Sequence, residues 1–102
     1  MNIDQVLAAL ADPMRRQLLE ALGQHPSSSA TALAERVPVS RQAVAKHLAV
    51  LRESRLVTSR RAGKEVLFTA CPQQLAAAAS WMTTLAATWE DRLQLLKREA
   101  ER

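Results

Sequence analysis

The segment spanning residues 40–69 constrains the fold more than any other part of the chain, because it joins a capped amphipathic helix directly to a β-hairpin. Ser40 belongs to the residue types preferred at a helix N-cap, and Val39 with Val44 fits a hydrophobic staple across it. The pattern predicts a helix over residues 40–53. Only three residues separate its cap from the preceding helical stretch, which predicts a tight helix–helix turn.

The predicted helix 40–53 has one apolar and one polar side. At about 100° per residue, Val44, Leu48 and Leu51 cluster on the same side. The opposite side and its flank carry polar or small residues, namely Arg41, Gln42, Ala45, Lys46, Ala49 and Arg52. We therefore expect the apolar side to pack on the domain and the polar side to meet a partner.

The residues after this helix have a strand pattern. Residues 56–60 and 65–69 predict two antiparallel strands, and Ala62-Gly63 marks the hairpin turn between them. Three basic side chains lie near the tip of this hairpin, at Arg60, Arg61 and Lys64.

Helices are predicted for most of the remaining sequence. Asp12-Pro13 fits an N-cap followed by proline at the first helical position, and that helix is expected to end at Gly23. A loop is expected over residues 25–28, after which Ser29 is expected to cap a third helix.

The predicted terminal helices, at about residues 2–10 and 73–99, each carry an apolar stripe. The stripe of the first helix consists of Ile3, Val6, Leu7 and Leu10. The stripe of the last helix consists of Leu75, Ala78, Met82, Leu85, Trp89, Leu93 and Leu96. This second stripe exceeds what a small domain needs to cover, which favours dimerisation; closure of the chain's own core is the alternative.

Positive charge is concentrated in the segment that contains the helix and the hairpin. Residues 36–64 contain eight Lys or Arg and one acid, a net charge of +7, whereas the whole chain has a formal net charge of +4. Such a concentration is the electrostatic footprint of a nucleic-acid binder.

Composition bounds the class of protein. A chain of 102 residues with 48% hydrophobic and 24% charged residues predicts one globular domain over residues 1–102. No apolar run approaches the ~18 residues of a membrane span, and the N-terminus lacks the basic region of a signal peptide. Cys71 is the only cysteine, which excludes an internal disulfide. We therefore expect a cytoplasmic protein with no membrane partner.

The polar side of helix 40–53 has the chemistry needed to read DNA bases. Arg41 can donate two hydrogen bonds to guanine, and Gln42 can pair with adenine in the same way. Lys46 suits a base edge or a phosphate, and the small Ala43 and Ala45 permit close approach to thymine methyl groups. The candidate DNA-binding residues are Ser40, Arg41, Gln42, Ala43, Ala45, Lys46, His47, Arg60, Arg61 and Lys64.

Other polar residues have simpler explanations. For His47, a hydrogen bond to backbone explains the residue as well as a phosphate contact does. Arg52 and Arg55 are interpreted as solvated or helix-terminal charges, with a DNA contact as the alternative. Arg15 and Arg16 are interpreted as cover for the exposed side of the second helix, with a phosphate contact as the alternative.

Together these segments resemble the ArsR-type (ArsR/SmtB) winged helix-turn-helix repressors, in the branch that does not sense metals. The matching stretches are residues 10–22 (L-A-D-P-M-R-R-Q-L-L-E-A-L), 32–57 and 60–69, with W-M-T-T-L-A-A-T-W-E-D-R-L at 81–93 similar to the last helix of that branch. The resemblance implies a mainly α fold with a small β-hairpin: four helices, two strands and a final helix. It places helix 40–53 in the major groove of double-stranded DNA and residues 60–64 as a wing on the flanking backbone or minor groove.

The resemblance also implies a homodimer formed by the first and last helices. The interface residues would be Ile3, Val6, Leu7, Leu10, Met82, Leu85, Trp89, Leu93 and Leu96. Three residues depart from the family pattern: Pro38 replaces the usual glycine of the turn, Ala45 a common serine, and Phe68 the usual tyrosine. Ala45 removes one polar contact with DNA, whereas Pro38 retains the turn if its φ is near −65°.

The residues do not form the metal sites of the metal-sensing members. Those members carry Cys-x-Cys before the turn or His and Asp ligands on the last helix, whereas residues 32–36 here read A-L-A-E-R and the last helix has no histidine. His25 and His47 lie in different predicted elements, without a partner at ligand spacing. We therefore predict no metal and no other cofactor. A redox role for Cys71 would need an intermolecular partner, so a structural thiol is favoured, and no effector can be assigned.

Two functions of different classes remain open. The first is a sequence-specific, homodimeric DNA-binding repressor. The second is a winged-helix interaction module that binds an acidic protein or RNA through the same basic face. The small side chains beside Gln42 and Lys46 favour insertion into a groove. An enzyme is not expected, because the sequence shows no nucleophile–base set, carboxylate pair or phosphate loop.

Overall fold

Caps and apolar stripes divide residues 2–101, the part of the chain described by the computed structural model, into five helices and three strands. The helices are α1 (Ile3–Leu10), α2 (Pro13–Gln24), α3 (Ala30–Ala34), α4 (Arg41–Glu53) and α5 (Pro72–Ala100). The strands are β1 (Ser28–Ser29), β2 (Val57–Ala62) and β3 (Glu65–Ala70). This arrangement confirms the predicted winged helix-turn-helix, with one additional strand between α2 and α3.

Each of the first four helices begins at a side-chain cap. The side-chain oxygens that accept a backbone amide of the first turn belong to Asn2, Asp12, Ser29 and Ser40. The caps predicted at Asp12, Ser29 and Ser40 are therefore confirmed. The fifth helix differs, because its N-cap residue Cys71 forms no capping bond and Pro72 opens the helix.

The predicted end of the second helix was wrong. α2 continues through Gly23 to Gln24, and the His25 amide still donates to the Ala21 carbonyl at 2.8 Å. Pro26 sets the end instead, because the residue before a proline is excluded from the helical region, and His25 has φ −131° and ψ 74°.

The expected loop at residues 25–28 contains the start of a third strand. β1 pairs antiparallel with β3, so the sheet order is β1-β3-β2. The Ser28 hydroxyl is buried and donates to the His25 carbonyl at 2.6 Å. A strand of two serines has neither the length nor the alternation that would predict it from sequence.

The hairpin turn lies one residue later than predicted. Ala62 pairs with Glu65, so the two turn residues are Gly63 and Lys64. Gly63 has φ +63°, and glycine at the first central position is what a type II′ hairpin turn requires. Consequently Lys64 lies at the tip of the hairpin itself.

The core lies where the helix-turn-helix meets the base of the hairpin. Val44, Leu48 and Leu51 of α4 are all fully buried, which confirms the predicted apolar side. Leu56, which precedes β2, and Val57, its first residue, are buried in the same cluster. The polar side of α4 is thereby turned away from the domain.

The last helix extends far beyond this core. α5 has 29 residues, and every one from Ala79 to Ala100 is exposed. The described chain is accordingly elongated, with principal extents of 69 × 26 × 21 Å. Within residues 2–101, no helix combines the length and apolar character needed to cross a membrane.

Candidate nucleic-acid interface

The first part of the candidate interface is the polar side of α4. Arg41, Gln42, Ala45 and Lys46 are exposed, whereas Ala43 is half-buried. Ser40 is exposed at the start of the helix, and its Oγ accepts from the Ala43 amide at 3.2 Å. This bond uses only acceptor capacity of the hydroxyl, which can still donate to a phosphate.

The hairpin forms the second part. Successive side chains of a strand alternate between faces, so Arg61 shares the face of Val57 and Ser59, which is the face turned towards the core. Arg60 projects from the opposite face. Both arginines and Lys64 at the tip are exposed. Arg60 and Arg61, adjacent in sequence, therefore project from opposite faces of the hairpin.

A cleft of about 400 Å³ separates α4 from the hairpin. The residues that line it are Ser29, Ala30, Thr31, Arg41, Arg52, Lys64, Glu65, Val66 and Phe68. Three cationic side chains and a single carboxylate thus face one another across it. The three cations repel one another when the cleft is empty. The negative charges of a nucleic-acid backbone lying along the cleft would be stabilised by all three cations. The fold brings Arg41 and Lys64, 23 positions apart in sequence, to the same cleft.

Known proteins resemble this chain in sequence and in fold. Residues 10–60 match the family model described as a helix-turn-helix domain. The HTH-type transcriptional regulator Rv2034 of Mycobacterium tuberculosis is 43% identical over 74 residues, which cover 72% of this chain and 68% of that protein. An uncharacterized HTH-type transcriptional regulator of Bacillus subtilis, YuzN, is 39% identical over 69 residues, covering 62% of this chain and 75% of that one. The structure of an ArsR-like transcriptional regulator from Rhodococcus sp. RHA1 superposes with a TM-score of 0.83 at 40% identity, covering 94% and 90% of the two chains.

The chain belongs to the ArsR family of helix-turn-helix transcriptional regulators. It is therefore a DNA-binding regulator of transcription, as its basic helix and hairpin predicted. We refer to α4 as the recognition helix of this ArsR-family regulator and to residues 60–64 as its wing.

Arg52 of the regulator is exposed in the last turn of α4, as expected for a solvated or helix-terminal charge, and the structure also gives it a partner. Its Nη1 donates to the Oγ of Ser59 in β2 at 3.2 Å. The side chain thus joins the last turn of the recognition helix to the wing strand. No sequence signal marks this pair, because the contact depends on how the hairpin folds back against α4.

Arg15 and Arg16 of the regulator also have specific partners. Arg15 donates from Nε to the Ala9 carbonyl at 2.7 Å and from Nη2 to the Ala8 carbonyl at 3.1 Å. Arg16 donates from Nη1 to the Leu10 carbonyl at 2.5 Å. These carbonyls lie at the C-terminal end of α1, where positive charge is favourable. The two arginines therefore fix α1 to α2.

His47 lies at the edge of the recognition helix that faces α2. It is half-buried and lies near enough to Asp12, the N-cap residue of α2, to interact with its carboxylate electrostatically. The hydrogen bond donated by the Met14 amide holds the pKa of the Asp12 carboxyl below its ordinary value; the Arg15 amide and the charges of His47 and Arg15 lower it further, while partial burial opposes them. His47 therefore borders the polar side of the helix.

The residues predicted for a dimer interface fall into two groups. Those of α1 are covered within the protomer: Val6 is only 1% exposed, and Ile3, Leu7 and Leu10 are half-buried. Those of α5 are open to solvent, namely Met82, Leu85, Trp89, Leu93 and Leu96. Trp89 is 60% exposed. Val6 belongs to the regulator's own core, which leaves the other three residues of α1 for contact with a partner.

No group of three or more His, Cys, Asp or Glu side chains within residues 2–101 of the regulator is arranged to hold a metal ion. Cys71 is a partly exposed free thiol at the start of α5.

Proposed function

We propose that the regulator is a homodimeric repressor that inserts α4 into the major groove and sets its wing on the flanking backbone or minor groove. The observation that carries this proposal is the exposed polar side of α4 beside a cleft faced by Arg41, Arg52 and Lys64. The protein acts by binding rather than by catalysis. Its effector, if it has one, is unassigned.

Within this arrangement Gln42 and Arg41 read base edges from the first turn of α4, the part of a recognition helix that reaches furthest into the groove. Lys46 follows one turn later, and the small Ala43 and Ala45 allow the helix to approach the bases. Contacts with the phosphates on either side come from Ser40, His47, Arg60, Arg61 and Lys64. Such contacts fix orientation and supply affinity without reading sequence.

The exposed stripe on α5 supports the dimer. An apolar stripe with a tryptophan at 60% exposure is unusual on the surface of a protein that is alone in solution. Pairing two such stripes about a two-fold axis buries both, with Ile3, Leu7 and Leu10 at the margin. Two recognition helices related in this way would read half-sites about 34 Å apart, or a multiple of that distance.

Repression follows from steric exclusion. A dimer that occupies two half-sites covers about two turns of the duplex or more, and RNA polymerase cannot use a promoter that overlaps such a site. Release then requires only that the dimer leave the DNA.

The proposal is tested by selecting duplexes from a library of genomic fragments with the purified regulator. Its affinity for a selected duplex, a shuffled duplex of equal length and an RNA hairpin of equal charge is then measured at several salt concentrations. We expect the selected duplex to bind at least a hundredfold more tightly than the shuffled one, with affinity falling steeply as salt rises. Equal affinity for all three probes would show that the basic face is a general polyanion or interaction surface instead.

A further inference from the structure

We propose that Arg52 is a positioning residue, which holds the wing at a fixed distance from the recognition helix through Ser59. This inference rests on the proposed function, since it concerns how the two DNA-binding elements are held at a fixed separation. The positioning role is separate from the electrostatic attraction that Arg52 exerts on an anion in the cleft.

The geometry places the bond at the point where the wing leaves the sheet. Ser59 pairs with Phe68 of β3, and Phe68 pairs in turn with Ser28 of β1, so three strands lie side by side at this position. At Arg60, the next residue of β2, three strands still lie side by side. From Arg61 to the tip only β2 and β3 remain. A two-stranded ribbon is marginally stable by itself. The bond from Arg52 therefore anchors the hairpin beside its unsupported part.

Within residues 2–101, the Arg52–Ser59 bond is the side-chain hydrogen bond that joins α4 to the hairpin, and no second one accompanies it. The side chain of Arg52 also lies between two clefts. One is the DNA-facing cleft with Arg41 and Lys64, and the other is a cleft of about 500 Å³ that includes Arg55 and Cys71. Removing the guanidinium would take away this bond, so that between α4 and the hairpin only the apolar packing of the core would remain.

The partner of Arg52 is a hydroxyl, so its positive charge is not neutralised by the bond. Two other roles are thereby open to an exposed arginine at this place: a direct phosphate contact, and a favourable charge at the C-terminal end of α4. Replacement of Ser59 separates them. Ser59→Ala removes the acceptor but retains the charge of Arg52, so it weakens DNA binding only if the bond itself matters.

The binding experiment uses fluorescence anisotropy with the duplex selected above and four variants: Arg52→Ala, Ser59→Ala, the double variant, and Arg52→Lys. We expect each alanine variant to weaken binding about three- to tenfold, the effect of losing one ordinary hydrogen bond. The double variant should bind no more weakly than Arg52→Ala alone, and Arg52→Lys should retain most of the affinity. Controls are Arg98→Ala, another exposed arginine in the last turn of a helix, and Thr58→Ala on the opposite face of β2.

A second measurement needs no DNA. Spin labels at Ala49→Cys on α4 and at Glu65→Cys, the first residue of β3 next to the wing, report the distance between helix and hairpin by pulsed electron resonance in a Cys71→Ser background. We expect Ser59→Ala to broaden this distance distribution while the thermal midpoint changes little. If Ser59→Ala changes neither the distribution nor the affinity, while Arg52→Ala weakens binding, the positioning role is excluded. If neither the unmodified chain nor any variant binds the selected duplex more tightly than the shuffled one, the proposed function fails. The distance measurement still decides the role of Arg52 in that case.

Discussion

Backbone conformation at single residues shows where the fold overrides local preference. Arg55 has φ +61°, a conformation that favours glycine. Its amide donates to the Arg52 carbonyl at 3.0 Å and the Leu56 amide donates to the Leu51 carbonyl at 2.9 Å, which together form a Schellman motif after α4. Burial of Leu56 fixes the direction in which the chain must leave the helix. Arg55 therefore adopts a strained left-handed backbone conformation.

Arg55→Gly should therefore raise the free energy of unfolding, by about 0.5–1 kcal/mol, because the left-handed conformation strains arginine and not glycine. Urea titration followed by circular dichroism measures the change. Arg36→Gly is the matched control, since Arg36 is exposed and lacks a positive φ; that variant should gain no stability. If Arg55→Gly lowered the free energy of unfolding as much as Arg36→Gly does, the Schellman motif would carry no strain at Arg55.

Base reading and backbone contact are also distinguishable at single residues. Gln42→Ala should reduce discrimination at one base pair of the selected duplex by ~1–3 kcal/mol, the contribution of a bidentate contact. Arg61→Ala should weaken selected and shuffled duplexes alike and reduce the slope of log affinity against log salt by about 1. Competition binding over a set of single-base variants measures both effects. Identical behaviour of the two variants would contradict the roles given to helix and wing.

At the scale of elements, the corner between α1 and α2 depends on a charged cap. The Asp12 carboxylate accepts the Met14 amide at 2.7 Å, and its Oδ2 lies 3.7 Å from the Nη1 of Arg15, whose other guanidinium nitrogens hold the end of α1. Since these interactions lower the pKa of Asp12 in the folded state, the ionised carboxylate stabilises the fold above the pKa of the unfolded chain. This contribution is lost as pH falls through the folded pKa.

Thermal melting of the regulator and of Asp12→Asn between pH 7 and pH 3 tests this charge. Asparagine can still cap the helix, so the difference between the two melting temperatures reports the charge alone. We expect the regulator to melt higher at neutral pH and the difference to shrink as the medium becomes acidic. A difference that stays constant with pH would assign the effect to the shape of the side chain.

Much of this element structure was predictable from sequence, for local reasons. The caps at Asp12 and Ser40 and the buried side of α4 depend on spacings within one helix, and all were confirmed. β1 and the Arg52–Ser59 bond were not predictable, because both depend on where β3 and β2 lie after folding. The same holds for Arg15 and Arg16, whose partners are backbone carbonyls of another helix.

At the scale of the whole molecule, the exposed stripe of α5 is the surface on which the proposed dimer depends. Trp89→Glu would place a charge in the centre of the proposed interface, where burial of an unpaired carboxylate is strongly unfavourable. We expect this variant to sediment as a monomer at concentrations where the unmodified regulator is a dimer. Ala87→Glu, on the opposite side of the same helix, is the control and should remain dimeric. A dimeric Trp89→Glu variant would place the interface elsewhere.

The length of α5 has one more consequence. Residues 79–100 are all exposed in a single protomer, so they are held there mainly by intrahelical hydrogen bonds, and an isolated helix of about that length is marginally stable in water. Under the proposed dimer, order in this segment rises with the concentration of the chain, as does the number of paired recognition helices. The response of a promoter to the regulator would then be steeper than proportional, and the rate at which the cell synthesises the chain would itself become a signal.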